Sequence, residues 1–146
     1  MDGIIIYLTY ILDYTYGQKK AMLNLLLVGS GGFLGSALRY MISQSMQSLA
    51  GSAILPYGTL AVNLLGCLTI GLLGGIAHYR EVFSPEIRLF VFTGMLGGFT
   101  TFSTFGYETF NLGRSVDLPT ALLNILLHMV LGLGAIWFGY WLSRWF

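Results

Sequence analysis

The sequence predicts an all-α integral membrane protein with four transmembrane helices, and three observations carry that prediction. Hydrophobic residues make up 55% of the 146 and charged residues only 9%, whereas an ordinary soluble domain is about a quarter charged. Uncharged runs occupy residues 21–38, 40–79, 89–107 and 118–143, the second of them holding a link as well as a span. Tyr40, Tyr57, Tyr79, Trp137, Trp141 and Trp145 fall near the ends of those spans, as interfacial aromatic belts do.

A bilayer core takes roughly 20 apolar residues per helix, which places helices at about 22–43, 57–79, 88–111 and 119–144. Residues 1–21 read as an N-terminal extension to a four-helix domain at 22–146. Asp2 and Asp13 bracket an apolar run too short to span, and it lacks the basic start of a signal peptide. That segment is expected to lie at the interface or to be poorly ordered, with Met22 as an alternative start. The first helix carries Gly31 and Gly35, the second Gly71 and Gly75, the third Gly94 and Gly98, and the fourth Ala135 and Gly139, all four apart. Such spacing lets backbones approach where lipid supplies no hydrophobic drive for association. The links are short: a Ser, Ala and Gly-rich stretch at 45–56, a charged turn at 80–85, and a turn at 113–119 with Arg114 and Asp117. Sequential helices are therefore expected to run antiparallel. Four such helices barely enclose an aqueous route while covering it from lipid, so a homo-oligomer is expected.

With four spans both termini share a side with the 80–85 turn. That side holds Lys19, Lys20, Arg80, Arg88 and Arg144 against Arg39 and Arg114 opposite, a bias toward cytoplasmic termini. A chain starting at Met22 lacks both lysines, and the count is then too even to fix an orientation.

Catalysis is disfavoured by what the spans lack. The single cysteine, Cys67, excludes an internal disulfide or a Cys-based zinc site and reads as a small buried hydrophobe. His78 and His128 have no ligand-spaced partner, and no nucleophile–base pairing, phosphate loop or carboxylate pair occurs in the spans. An enzyme is not expected, and neither is a nucleic-acid partner. The polar residues within the spans need partners in lipid. Asn63 reads equally as an interhelical hydrogen-bonding group or a pore-lining donor. Arg39 is a snorkelling helix-end cation or a charge beside an anion route. Glu108 reads first as an interfacial carboxylate, with a vestibule role second, and His128 first as an interhelical hydrogen bonder.

The segment 97–105, Gly-Gly-Phe-Thr-Thr-Phe-Ser-Thr-Phe, is unlike a lipid-facing helix. Phe99, Phe102 and Phe105 are three apart and share a row, with hydroxyls in the rows between: Thr101 with Thr104, and Thr100 with Ser103. A Phe row is most often packing, but both sides of this segment cannot face lipid. Aromatic edges are the positive end of the ring quadrupole and attract an anion loosely enough to release it. The Gly97-Gly98 pair costs up to ~1 kcal/mol per residue within a helix, which predicts a third helix broken near the membrane midplane. Broken helices persist at that depth only where they are buried or face a cavity, and their freed carbonyls coordinate cations.

Three motifs then resemble the Fluc/CrcB family of small fluoride channels across residues 22–146. They are Gly31-Gly32-x-x-Gly35-x-x-x-Arg39-Tyr40, Gly58-Thr59-Leu60-x-Val62-Asn63-x-x-Gly66, and Gly94-x-x-Gly97-Gly98-Phe99-Thr100-Thr101-Phe102-Ser103-Thr104-Phe105. The resemblance implies an antiparallel, dual-topology homodimer in the cell membrane, with two fluoride pores and a central structural sodium ion. It implies that Phe102 and Phe105 form a phenylalanine box, that Asn63 is the pore amide and that Arg39 is a vestibule arginine. It also implies hydroxyl donors at Thr101, Ser103 and Thr104, a carboxylate at the pore's end in Glu108, and sodium held by the backbone carbonyls of Gly97 and Thr100. The fourth helix departs from the pattern, offering only Thr120, Asn124, His128 and aromatic tips where hydroxyls form a polar track. A small multidrug-type exporter, also a four-helix dual-topology dimer, is the rival. It needs a membrane-embedded carboxylate, and no Asp or Glu lies between Asp13 and Glu81.

Overall fold

The structure, a computed structural model, describes the backbone of residues 2–51, 53–80 and 82–146, and side chains from residue 16 onward within those ranges. The first helix (Asp2–Ala50) ends at Gly51, whose φ of 62° lies in the left-handed region that favours glycine. It passes well beyond residue 43, into the segment expected to be a link, because residues 44–50 hold neither Gly nor Pro. The expectation for the 1–21 extension falls mostly on residues whose side chains lie outside those described. The second helix (Tyr57–Arg80) begins directly after Pro56.

The third span (Pro85–Ser115) is assembled from several pieces. Ser84 caps its start, the hydroxyl accepting from the Ile87 amide at 3.3 Å, with Pro85 at the first helical position. One turn (Pro85–Arg88) leads into wider π-type turns (Leu89–Leu96) and a short α-helical piece (Gly97–Phe99). Thr100 and Thr101 are then extended, at φ/ψ of −84°/159° and −150°/112°, before the helix resumes at Phe102–Ser115. The departure from helix thus falls two residues after the glycine pair. Gly97 itself is helical at −64°/−37°. Gly98 serves packing instead, since a Cβ there would come within 2.6 Å of the Gly32 carbonyl oxygen on the first helix. The fourth helix (Leu118–Leu142) starts at Asp117, whose Oδ1 accepts from the Thr120 amide at 2.7 Å, and closes in a 3₁₀ turn (Ser143–Trp145).

All four spans are long and apolar enough to cross a membrane. The second packs mainly along the fourth, and the first along the 89–99 portion of the third. At the first of these seams a Cβ on Gly71 would overlap the Ile136 carbonyl, and one on Gly139 the Leu68 carbonyl. At the second, a Cβ on Gly35 would overlap the Met95 carbonyl. Small residues are therefore points of near backbone contact, and dispersion between close backbones replaces the hydrophobic drive missing in lipid. Among the described residues buried apolar side chains are few. Leu60, Val62, Leu96, Phe99 and Phe105 are buried on the second and third spans, while Leu25, Phe33 and Leu133 point outward, as lipid permits.

Candidate ion path

The interruption of the third span is held from outside, by the second helix. Asn63 Oδ1 accepts from the Thr101 amide at 3.0 Å, and its Nδ2 donates to the Thr101 carbonyl at 3.3 Å. One side-chain amide thus satisfies both backbone groups of an extended residue, as a neighbouring strand would. Thr101 in turn caps the helix that follows, its Oγ1 accepting from the Thr104 amide at 3.2 Å and donating to Thr104 Oγ1 at 2.8 Å. The Ser103 hydroxyl lies 3.5 Å from Thr101 Oγ1.

These bonds divert two amides from their helical acceptors. In an unbroken helix Thr101 N–H would close on Gly97 C=O, and Thr104 N–H on Thr100 C=O. Here the first goes to Asn63 and the second to the Thr101 hydroxyl. The amide of Thr100 itself still bonds back to Leu96 at 3.0 Å, and its hydroxyl does so at 3.1 Å. The four carbonyls from Gly97 to Thr100 lose their helical donors across the break, those of Gly97 and Thr100 among them. These two are the pair expected to bind sodium, and neutral oxygen donors fit a hard cation.

Around this knot lie two cavities. One of about 410 Å³ is lined by Asn63, Cys67, Gly97, Thr100, Phe102 and Phe105, with His128 on its fourth-helix side. The other, about 360 Å³, is lined by Ser36, Arg39, Ser43, Thr59, Thr101 and Thr104. Thr101 borders both. Arg39 therefore shares a cavity with hydroxyls of the second and third spans, although it is 62 residues from Thr101 along the chain.

The two box phenylalanines differ. Their ring centroids are 5.8 Å apart at 54°, but Phe105 is buried while Phe102 is 80% exposed on the single chain. Ser103 and Thr104 are exposed beside Phe102. Phe105 packs on His128 with centroids 4.4 Å apart. The His128 Nδ1 lies 3.0 Å from the Asn124 carbonyl of its own helix, so its hydrogen bond is within the fourth helix and its interhelical contact is the Phe105 ring. A carbonyl only accepts, so Nδ1 carries the proton, and Nε2 is enclosed with no partner among the described residues. The Asn124 side chain, almost wholly buried, donates to Thr109 at 2.8 Å, and Thr109 to the Phe105 carbonyl at 2.7 Å. Glu108 sits half-buried against the second helix: Oε1 accepts from the Thr59 hydroxyl at 2.7 Å, and Oε2 is enclosed without a donor among the described residues.

Sequence reasoning missed Thr59 and Thr109 as partners of Glu108 and Asn124. A threonine within an apolar helix carries no mark of which helix it will bond. Cys67 was read as a small packing residue, and its place on the wall of the larger cavity follows only from the second helix facing the fourth.

Four membrane spans, with two cavities that meet at Thr101 of the interrupted third span, define a multi-pass integral membrane protein that carries amide and hydroxyl groups within its spans. The chain belongs to the CrcB family: residues 26–140 match the family described as CrcB-like protein, Camphor Resistance (CrcB). It is similar to the fluoride-specific ion channel FluC of Chloroflexus aurantiacus, 46% identical over 125 residues that cover 86% of this chain and 98% of that one. The proteins of the same name from Nitratidesulfovibrio vulgaris and Geobacter sulfurreducens are 45% and 42% identical over 123 residues, covering 84% of this chain and 98% of theirs. Membership and the four spans place the chain in the cell membrane.

Proposed function

We propose that this chain is a fluoride-selective channel that lowers cytoplasmic fluoride by passive efflux, as an antiparallel dual-topology homodimer with two pores and a central sodium ion. The observation that carries the reading is convergence: Asn63, Gly97, Thr100, Thr101, Phe102 and Phe105 line one cavity of this chain, and its relatives are named fluoride-specific ion channels.

Fluoride is small and strongly hydrated, so a selective route must replace its water with close donors. Asn63 retains one amide hydrogen beyond its bond to Thr101, and the Thr101, Ser103 and Thr104 hydroxyls supply rotatable donors. The edges of Phe102 and Phe105 add weak attraction that does not trap the ion. Arg39 raises the local anion concentration in the hydroxyl-lined cavity. Sodium, held by the carbonyls of Gly97 and Thr100 with the same pair from the antiparallel copy, offsets the cost of an anion in low dielectric. Phe102, Ser103 and Thr104, exposed on the single chain, gain their second wall from that copy. Acid outside favours entry of neutral HF, which dissociates within, and the channel returns the anion down its gradient.

The test is halide release from liposomes holding the purified protein, followed with a fluoride electrode and a chloride electrode. Rapid fluoride release with little chloride release is expected, and Phe102→Ile slows it while the dimer persists. Equal release of both halides, or none from folded protein, refutes the reading.

A further inference from the structure

We propose that Asn63 is the positioning residue of the cation site: by taking the Thr101 amide, it keeps the Gly97 carbonyl from closing into the third helix. The inference rests on the fluoride-channel reading and its sodium ion, and adds a coupling between the anion route and the cation.

The local sequence does not account for the interruption. Gly97 and Gly98 stay helical, and Thr100 still makes its backward bond to Leu96. The first amide to leave the helical ladder is that of Thr101, and the group that receives it is a side chain thirty-eight residues away. Its carbonyl is taken by the same side chain. Without Asn63 both backbone groups of Thr101 would face a buried setting unpaired, because Thr101 is buried. An unpaired backbone group at membrane depth is strongly disfavoured. The nearest remedy is the helical one, in which Thr101 N–H bonds Gly97 C=O. That closure removes one of the two oxygens available to the cation. The Thr100 carbonyl is protected separately, since its donor is held by the Thr101 hydroxyl.

Asn63 therefore has two separable duties. Its Oδ1 accepts from the Thr101 amide, and so acts on the cation site. Its second amide hydrogen is not used by Thr101, and Asn63 lines the cavity together with Phe102 and Phe105, so this hydrogen is the one that acts on the anion. Asn63→Asp keeps an acceptor for Thr101 and removes every donor. Asn63→Leu removes both, and Asn63→Ser leaves a polar atom too short to span the same gap.

The experiment uses the purified full chain in detergent, melted in sodium chloride and in N-methylglucamine chloride at equal ionic strength, with fluoride flux measured in parallel. Any ligand bound only by the folded form raises the melting temperature, so sodium is expected to stabilise the wild-type dimer. Asn63→Leu and Asn63→Ser are expected to lose that sodium-dependent rise together with flux. Asn63→Asp is expected to keep the rise and lose flux, a split that a merely structural asparagine would not produce. Wild-type sodium stabilisation retained by Asn63→Leu or Asn63→Ser overturns the proposal, as does its loss in Asn63→Asp. Selective fluoride flux without any sodium effect in the wild type also overturns it and leaves the channel reading standing. Should neither Asn63→Leu nor Asn63→Ser yield a dimer, Asn63→Asp decides alone.

Discussion

Replacing Gly66 by alanine tests how the second helix supports the interrupted span. A Cβ at Gly66 would fall on the Thr100 Cγ2 methyl, with the Phe99 ring at 3.5 Å on the same side. Thr100 is not free to turn away, because its hydroxyl is bonded to the Leu96 carbonyl at 3.1 Å. Relief requires either a shift of the second helix, which is seated on the fourth at Gly71 and Gly139, or rotation of Thr100 with loss of that bond. Overpacking of this kind costs ~1–3 kcal/mol, and the lost hydrogen bond about 1 kcal/mol. Gly66→Ala is therefore expected to destabilise the protein by roughly 1–3 kcal/mol, the cheaper route setting the value. Thr100→Ser supplies the control, since serine keeps the hydroxyl and lacks Cγ2. Alone it loses about one buried methyl, ~0.8 kcal/mol. Combined with Gly66→Ala it should recover much of the loss, a coupling of at least ~0.5 kcal/mol in the double-mutant cycle. Reversible unfolding of the purified protein in detergent measures all four states. Additive losses, or a neutral Gly66→Ala, would show that the Thr100 methyl is not what requires glycine at position 66.

Gly35→Ala and Gly29→Ala form a matched pair on the first helix. The first puts a Cβ on the Met95 carbonyl and should cost ~1–3 kcal/mol, while the second meets nothing within 4 Å and should stabilise by up to ~1 kcal/mol; equal effects in thermal melts would refute the seam. At the start of the fourth helix, the Thr120 hydroxyl and amide hold the Asp117 carboxyl below the usual carboxylate range. A depressed folded value means that this stabilisation is present above the unfolded pKa of about 3.9 and is lost as pH falls through the folded value. Melting temperature should therefore drop more between about pH 6 and about pH 3 in the wild type than in Asp117→Asn, which caps without titrating; identical acid sensitivity would remove Asp117 from the account.

Much of the architecture could be read before any coordinates. Uncharged runs mark the four spans because a charge at membrane depth is costly, and the small-residue pairs mark the seams because only they let backbones touch. The ends of the helices were less legible. The first helix runs to Ala50 because Ser and Gln tolerate helix as well as a turn, and the first firm stop is Gly51. The candidate site divided in the same way. The polar and aromatic character of 97–105 stood out from its neighbours, and the resemblance assigned its residues to roles, but nothing in the sequence paired Phe105 with His128 of the fourth helix.

By itself the sequence determined the solvent, the number of spans, the faces that pack and the segment that is anomalous, all consequences of composition and spacing along one chain. Tertiary structure decided where the third span departs from helix. Local propensity points to Gly97-Gly98, yet the departure is at Thr100 and Thr101, where Asn63 offers a donor and an acceptor in the right places. Glycine only lowers the cost of leaving a helix. A backbone amide in lipid leaves where another partner is waiting, and that partner belongs to a different helix.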